Sequence, residues 1–152
     1  MTLYFEDFSP GQEFQTQART ITEADVVSFA AWSWDTNPVH TDAESSRHGR
    51  FGQRIGHGLL GLSVAMGLAA RLGVFEGSSI ALLDVAEWRF VAPILIGDTV
   101  HCRVEILHTR LTSKGDAGIL DRRFTLVNQH GDTVQEGRIG LMVALSAATA
   151  PR

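Results

Sequence analysis

Two side chains able to transfer protons, Asp35 and His40, stand five residues apart on either side of Asn37-Pro38. Proline fixes its own φ and restricts the residue before it, so this dipeptide imposes a rigid turn that can aim both side chains into one cavity. A carboxyl group and an imidazole held together can act as a general acid–base pair. Asp35 could instead simply close the turn. Together with the features described below, the pattern favours proton transfer.

The second chemical feature is a glycine, Gly58, which follows His57 at the start of a long apolar segment. The first amides of a helix have no intrahelical partner and lie at the positive end of its dipole, so they can bind a developing oxyanion. Glycine also lets a ligand oxygen approach the backbone closely. Gly58 is therefore predicted to bind a carbonyl oxygen, although close helix packing would also explain it. His57 is expected to pack or hydrogen-bond beside it.

Length and composition indicate one globular domain. The chain has 152 residues, 44% of them hydrophobic and 20% charged, which is enough for a sizeable core. We expect a single domain over 1–152, with its core at about 6–145 and a frayed tail at 146–152. The net charge of −4 and the scattered basic residues argue against a dedicated nucleic-acid-binding protein. The single cysteine, Cys102, cannot form an internal disulfide.

No segment of the sequence is typical of targeting or membrane insertion. The N-terminus, Met1–Phe8, lacks the positive region and apolar core of a signal peptide. The longest nearly uncharged apolar tract, 59–70, is shorter than the roughly 20 residues that cross a bilayer. We therefore expect a cytoplasmic protein without membrane contacts.

The order of the secondary-structure elements predicts an α+β fold. We predict a strand over 12–21, a helix over 23–33 capped by Thr22, a short helix from Thr41 to His48, a long apolar helix from about His57 to Leu72, and strands over 79–91, 99–111, 119–128 and 133–145. The long helix is apolar on nearly every face, so we expect it to be surrounded. Turn residues separate the last four strands, which is typical of antiparallel hairpins. The chain should form a curled antiparallel sheet wrapped around a central helix.

Three blocks of the sequence occur in a characteristic order: Asp35-x-Asn37-Pro38-x-His40, then His57-Gly58, then Trp88-Arg89-Phe90-x-x-Pro93-x-x-x-Gly97-Asp98. Together they resemble the MaoC-like dehydratases, also called R-specific enoyl-CoA hydratases, and the resemblance covers roughly 6–145. It implies a hot-dog fold, assembly as a homodimer or larger homo-oligomer, and syn hydration or dehydration at carbons 2 and 3 of an acyl thioester. Many members carry Gly where this chain has Trp34, so the acyl pocket is expected to differ in shape.

The implied reaction assigns roles to the candidate residues. Hydration of a 2-enoyl thioester needs a base for water, an acid for carbon 2 and stabilisation of charge on the thioester oxygen. Asp35 and His40 are predicted as the coupled catalytic pair, and Gly58 as the oxyanion site. Ser63, which matches a family pocket position, could instead hydrogen-bond to its own helical turn. The side chains expected to orient or contact the substrate are Trp34, Asn37, His57 and Ser63.

No cofactor or metal is expected, and coenzyme A or acyl carrier protein enters only as part of the substrate. The histidines at 40, 48 and 57 lack zinc-site spacing, and no cysteine pair accompanies them. Three arginines between residues 47 and 54 could meet coenzyme A phosphates, although a solvated polar segment explains them as well. The three tryptophans are expected in the core or in pocket walls.

Two other functions are compatible with the sequence. Hot-dog thioesterases bind the same substrates, but they usually place a carboxylate on the central helix, and residues 59–72 contain none. A non-catalytic acyl-binding or scaffold subunit would keep the fold, while its Asp and His would no longer take part in a reaction.

Overall fold

In a computed structural model, which describes residues 1–148, an antiparallel sheet curls around one long helix. The helices are α1 (Glu23–Ser33), α2 (Pro38–Thr41), α3 (Ala43–Arg47) and α4 (Gly58–Ala70), and a 3-10 turn covers Phe5–Asp7. The strands are β1 (Glu13–Gln15), β2 (Arg19–Thr20), β3 (Ser79–Phe90), β4 (Thr99–Leu111), β5 (Ala117–Val127) and β6 (Thr133–Ala144). Within these residues no helix is long and apolar enough to span a bilayer. Of the tail predicted over 146–152, residues 149–152 lie outside the described residues.

The sheet has the strand order β1-β4-β5-β6-β3, and β2 also pairs with β4. All of these pairings are antiparallel, as the turn residues between the long strands predicted. The helix α4 packs on the face formed by β4 and β5. The fully buried side chains of β4 alternate along the strand: Val100, Cys102, Val104 and Ile106. The predicted α+β hot-dog arrangement is confirmed.

The central helix is covered on one side only. The exposed stripe runs through Leu59, Ser63 and Gly67, and Leu59 is 60% exposed. The expectation that α4 is surrounded was therefore wrong for this stripe. An apolar composition shows that a helix face needs cover, but it does not show whether the cover comes from the same chain. The residues of α4 that are buried are Leu60, Gly61, Val64, Ala65, Leu68 and Ala69.

The strand predicted over 12–21 is divided into β1 and β2, and Thr16 lies at the interruption. Its backbone N–H donates to the carbonyl oxygen of Cys102 at 2.9 Å. The backbone N–H of Cys102 donates in turn to the Thr16 hydroxyl, Oγ1, at 2.9 Å. Because a side-chain oxygen takes the place of a ladder carbonyl, regular pairing with β4 stops there.

The helices before α4 are set by local capping. Thr22 caps α1 as predicted, because its Oγ1 accepts from the backbone N–H of Asp25 at 3.3 Å. The cap of α3 is Asp42 and not the predicted Thr41, since Asp42 Oδ1 accepts from the Ser45 N–H at 2.9 Å. Thr41 is instead the last residue of α2. The sequence therefore predicted this helix correctly and its cap one residue early.

Candidate active site

Asp35 and His40 face each other across the turn that joins α1 to α2. The distance from Asp35 Oδ2 to His40 Nε2 is 3.8 Å. Asn37 caps α2 by accepting a hydrogen bond from the Val39 N–H at 3.2 Å, and Pro38 opens the helix. The rigid turn predicted from the sequence is thus a single-turn helix that brings His40 back toward Asp35.

The imidazole of His40 is held in one tautomer. Its Nδ1 lies 2.8 Å from the carbonyl oxygen of Ile55, and a carbonyl can only accept, so Nδ1 carries the proton of the neutral ring. The lone pair of Nε2 is then available on the side of Asp35. The side chain of His40 is 11% exposed, whereas that of Asp35 is 53% exposed. In this single chain the imidazole is largely desolvated and the carboxylate is not.

His57 supports both members of the pair. Its ring stacks on that of His40, with centroids 3.8 Å apart and planes 24° apart. Its Nε2 lies 2.9 Å from the backbone carbonyl oxygen of Asp35 and therefore donates to it. Phe29 packs at a centroid distance of 4.9 Å, and the Nδ1 of His57 is buried without a hydrogen-bond partner among the described residues. His57 thus packs and hydrogen-bonds at once, and it lies against both predicted catalytic residues.

These three side chains are also the candidates for holding a metal ion. Asp35, His40 and His57 offer ligand atoms that lie within 4.8 Å of one another. A histidine lone pair lies in the plane of its ring, and the two ring planes are nearly parallel and stacked, so lone pairs of the two rings do not converge on one point. The Nε2 of His57 is already engaged with a carbonyl group. This arrangement suits a stacked pair better than tetrahedral chelation.

Gly58 begins α4 and lines the same cleft as His40, a space of about 560 Å³. The N-cap residue, His57, makes no side-chain hydrogen bond to the first helical turn, so the cap side chain does not occupy those amides. A Cβ atom at Gly58 would lie 2.8 Å from Cε1 of Phe90, at the end of β3. The two interpretations of this glycine, an oxyanion site and close packing, are therefore compatible in the structure.

Gln135 is part of this cleft, and the sequence did not indicate it. The side chain is 2% exposed. Its Nε2 donates to the carbonyl oxygen of Gly58 at 3.0 Å, and its Oε1 accepts from Trp88 Nε1 at 3.2 Å. It therefore ties the first turn of α4 to strands β3 and β6. The available signal was a polar residue within a strand rich in buried positions, and that signal does not show what the amide contacts.

Two of the predicted substrate contacts, Trp34 and Ser63, do not line the cleft in this chain. Trp34 is 89% exposed and Trp32 is 83% exposed, so neither lies in the core of this chain, and a place in a pocket wall stays a prediction. Both lie at the C-terminal end of α1, where their side chains remain largely uncovered. Ser63 lies on the exposed stripe of α4. Trp88 is partly buried against the core, as expected.

The arginines between residues 47 and 54 differ in their surroundings. Arg47 pairs with Glu44 at 3.3 Å, and Arg54 pairs with Glu23 at 2.7 Å. Arg50 is exposed and lines the cleft beside His40. A polar segment with local ion pairs accounts for the first two arginines, and Arg50 is the one of the three that lines the cleft.

Comparison with known proteins agrees with the resemblance. The model of the MaoC-like domain matches residues 7–128. The chain belongs to the MaoC-like domain family. This MaoC-like chain is 37% identical over 103 residues to the (R)-specific enoyl-CoA hydratase of Rhodospirillum rubrum. The aligned region covers 68% of this chain and 69% of that protein.

Two further similarities differ in their extent. The chain is 39% identical over 101 residues to Protein MaoC of Klebsiella aerogenes, over 66% of this chain but only 30% of that longer protein. A solved structure described as a monoamine oxidase regulatory protein from Archaeoglobus superposes with a TM-score of 0.89 and 29% identity, covering 96% of this chain and 97% of that one. The MaoC-like domain therefore corresponds to nearly all of one relative and to under a third of another.

Proposed function

We propose that this MaoC-like domain hydrates a 2-enoyl thioester, such as an enoyl-CoA, to the 3-hydroxyacyl thioester, or catalyses the reverse dehydration. The similarity to a hydratase from Rhodospirillum rubrum supports the reaction class. The observation that carries the proposal is the 3.8 Å separation of Asp35 Oδ2 and His40 Nε2, together with the cleft that His40 shares with Gly58.

Asp35 and His40 act on one water molecule in this proposal. The ionised carboxylate and the Nε2 of neutral His40 are both acceptors, so a single water can donate a hydrogen bond to each. Two hydrogen bonds of about 2.8 Å can meet on one oxygen when the acceptors are this close. One group takes a proton as the water oxygen bonds to carbon 3, and a proton is delivered from the pair to carbon 2. The pair is treated as one coupled unit.

The amide of Gly58 stabilises the charge that moves onto the thioester oxygen. This charge develops as carbon 3 gains its hydroxyl group and the double bond shifts toward the carbonyl. The N-terminus of α4 presents an uncapped turn and the positive end of the helix dipole. Apolar residues line the cleft, among them Phe90, Pro93 and Ile94, and they lower the local dielectric.

A thioesterase activity has less support from the structure. The helix α4 contains no Asp or Glu, so it lacks the carboxylate that hot-dog thioesterases usually place there. The acidic group nearest His40 is Asp35, on the loop after α1 and opposite the imidazole. That arrangement serves proton transfer to and from water.

Conservative polar variants of the pair test the hydratase proposal. Asp35→Asn and His40→Gln should each lower kcat/KM for crotonyl-CoA hydration by about 100-fold or more, because each removes a positioned proton transfer. The loss of the enoyl absorbance measures the reaction, and thermal unfolding reports whether each variant is folded.

The matched control is His48→Gln, which removes an exposed histidine that pairs with Glu44 on α3. It should leave hydration unchanged. Folded Asp35 and His40 variants with full activity would contradict the roles of the pair. Release of thiol from a saturated acyl-CoA without hydration of crotonyl-CoA would point to a thioesterase instead.

We also propose that the protein works as a homodimer or larger homo-oligomer that associates through β3. This strand lies at the edge of the sheet, and edge strands with apolar side chains favour association. Sedimentation equilibrium should show an oligomer at micromolar concentration, and Leu82→Lys should shift it toward monomer. A fully active wild-type monomer would contradict this assembly. The exposed apolar side chains of β3 are Ile80, Leu82, Leu83, Val85 and Phe90.

A further inference from the structure

A second cavity lies at the C-terminal end of α4, away from Asp35 and His40. Its volume is about 640 Å³. Arg122, on β5, lines it although its side chain is only 2% exposed. An arginine facing the core is uncommon unless it is paired. The apolar part of the wall includes Met66, Ala69, Phe75 and Leu141.

The guanidinium of Arg122 has no counter-ion in residues 1–148. Its Nε donates to the carbonyl oxygen of Ile139 at 3.3 Å, and its Nη2 is buried without a hydrogen-bond partner in the described part of the chain. The rings of Phe75 and Phe124 lie 4.9 and 5.0 Å from the guanidinium carbon. Such ring contacts attract the cation through the negative face of each ring. They do not replace an anion, because a buried charge without a partner is costly.

The neighbouring titratable group does not neutralise this cation. Burial raises the pKa of the Cys102 thiol to about 12, so the thiol is uncharged at neutral pH. Burial also lowers the pKa of Arg122 to about 10, which leaves the guanidinium protonated at neutral pH. A buried positive charge, with an N–H donor unpaired within residues 1–148, therefore lies in a cavity wall that also includes the charged side chains of Arg71 and Glu76.

We propose that this cavity binds the carboxylate of a small aliphatic acid, with Arg122 as its counter-ion and the carbon chain against Met66 and Leu141. A planar carboxylate matches a guanidinium in shape and in charge. A phosphate dianion would need more donors than one guanidinium supplies. The apolar walls favour a hydrocarbon chain beyond the carboxylate.

The carboxylate can come from two sources. The helix α4 has 13 residues and spans roughly 18 Å, so the two cavities lie at opposite ends of it. A free acid would bind there independently of the substrate. Alternatively, the carboxylate is the far end of a long acyl chain, and in that case the inference rests on the proposed function.

Isothermal titration with hexanoate tests the site, and hexanamide is the matched neutral ligand. The wild-type protein should bind hexanoate at least about tenfold more tightly than hexanamide, because only the acid offers a charge to Arg122. Arg122→Met should weaken hexanoate binding by at least about tenfold, and Arg122→Lys should retain part of it. The control Arg71→Gln, at an exposed arginine of the same cavity, should change the affinity by less than about threefold.

Equal binding of acid and amide by the wild-type protein overturns the proposal. A folded Arg122→Met variant that binds hexanoate like the wild type overturns it as well. If that variant does not fold, the comparison of hexanoate with hexanamide on the wild-type protein still decides the question.

Hydration assays distinguish the two sources of carboxylate. If the substrate supplies it, a long 2-enoyl-CoA with a terminal carboxylate should have a higher kcat/KM than its methyl-terminated equivalent, and Arg122→Met should remove the difference. If a free acid is the ligand, the two thioesters should be hydrated alike while hexanoate still binds. Because the titration needs no turnover, absence of hydration would count against the proposed function and not against this site.

Discussion

The two ends of α4 differ in how charge is arranged around them. At the N-terminus, the uncapped first turn shares a cleft with His40, and the negative charge expected there develops only during a reaction. At the C-terminus, Arg122 places a permanent cation in a second cavity. The helix dipole is positive at the first end and negative at the second, so it favours an anion at one and a cation at the other.

The two ends of α4 also differ in how closely their glycines are packed. Near the N-terminus, Gln135 donates a hydrogen bond to the carbonyl oxygen of Gly58. The Phe90 ring occupies the space where a Cβ atom at Gly58 would lie. Further along, a Cβ atom added to Gly67 would meet nothing within 4 Å. The glycine at the cleft is held by its neighbours, whereas the later glycine lies in open space in this chain. Substitution by alanine should therefore impair hydration at Gly58 and leave it unchanged at Gly67.

Gly58→Ala should produce the larger effect. The new methyl group must displace the Phe90 ring or stand where the thioester oxygen approaches, so kcat/KM for crotonyl-CoA should fall by about tenfold or more. Steady-state hydration kinetics measure this change. Unaltered kinetics in a folded variant would show that neither close approach nor the position of Phe90 matters for the reaction.

Gly67→Ala is the matched control in the same helix. It should leave hydration unchanged and raise the free energy of unfolding in urea by about 0.5 to 1 kcal/mol, because alanine is less flexible than glycine in the unfolded chain. A loss of stability would show that another subunit packs on this stripe of α4.

Trp34→Gly, near the N-terminal end of α4, should have a smaller effect. We expect that effect on the free energy of unfolding. Trp34 has a φ of 63°, in the left-handed region, and its side chain is 89% exposed. Glycine adopts this conformation without strain at a helix C-terminus, so the free energy of unfolding should rise by about 1 kcal/mol. Urea unfolding measures it.

Trp34→Ala serves as the control, since it removes the ring but keeps a Cβ atom, and it should lie within about 0.5 kcal/mol of the wild type. If Trp34→Ala raised the free energy of unfolding as much as Trp34→Gly, the strain could not be assigned to the backbone conformation. Kinetics with enoyl thioesters of different lengths would test the predicted role of Trp34 in the acyl pocket.

Local signals explain what could be predicted from the sequence. The helices α1 and α4 and the four long strands lie within about two residues of their predicted bounds, because caps, turn residues and periodicity act over a few neighbouring residues. The Asn37-Pro38 turn predicted that Asp35 and His40 would come together, and they lie 3.8 Å apart. The cap of α3 moved by one residue because two short helices compete for the same few positions.

Contacts between distant segments explain most of what could not be predicted. The stacking of His57 on His40 and the contact of Gln135 with Gly58 join segments that are 17 and 77 residues apart in the sequence. The burial of Arg122 follows from its place in β5, where it points to the core like its neighbours Leu120 and Phe124. Alternation predicts which side of a sheet a residue faces, but not what lies opposite.

The sequence by itself therefore determined the elements of this MaoC-like chain and the pairing of Asp35 with His40, since short-range backbone preferences fix both. Only the tertiary structure decided which groups surround that pair, which stripe of α4 stays uncovered, and that Arg122 has no counter-ion within residues 1–148 although it lines a cavity. Those outcomes depend on how the sheet curls over the helix, and burial and charge pairing are set only when distant segments meet.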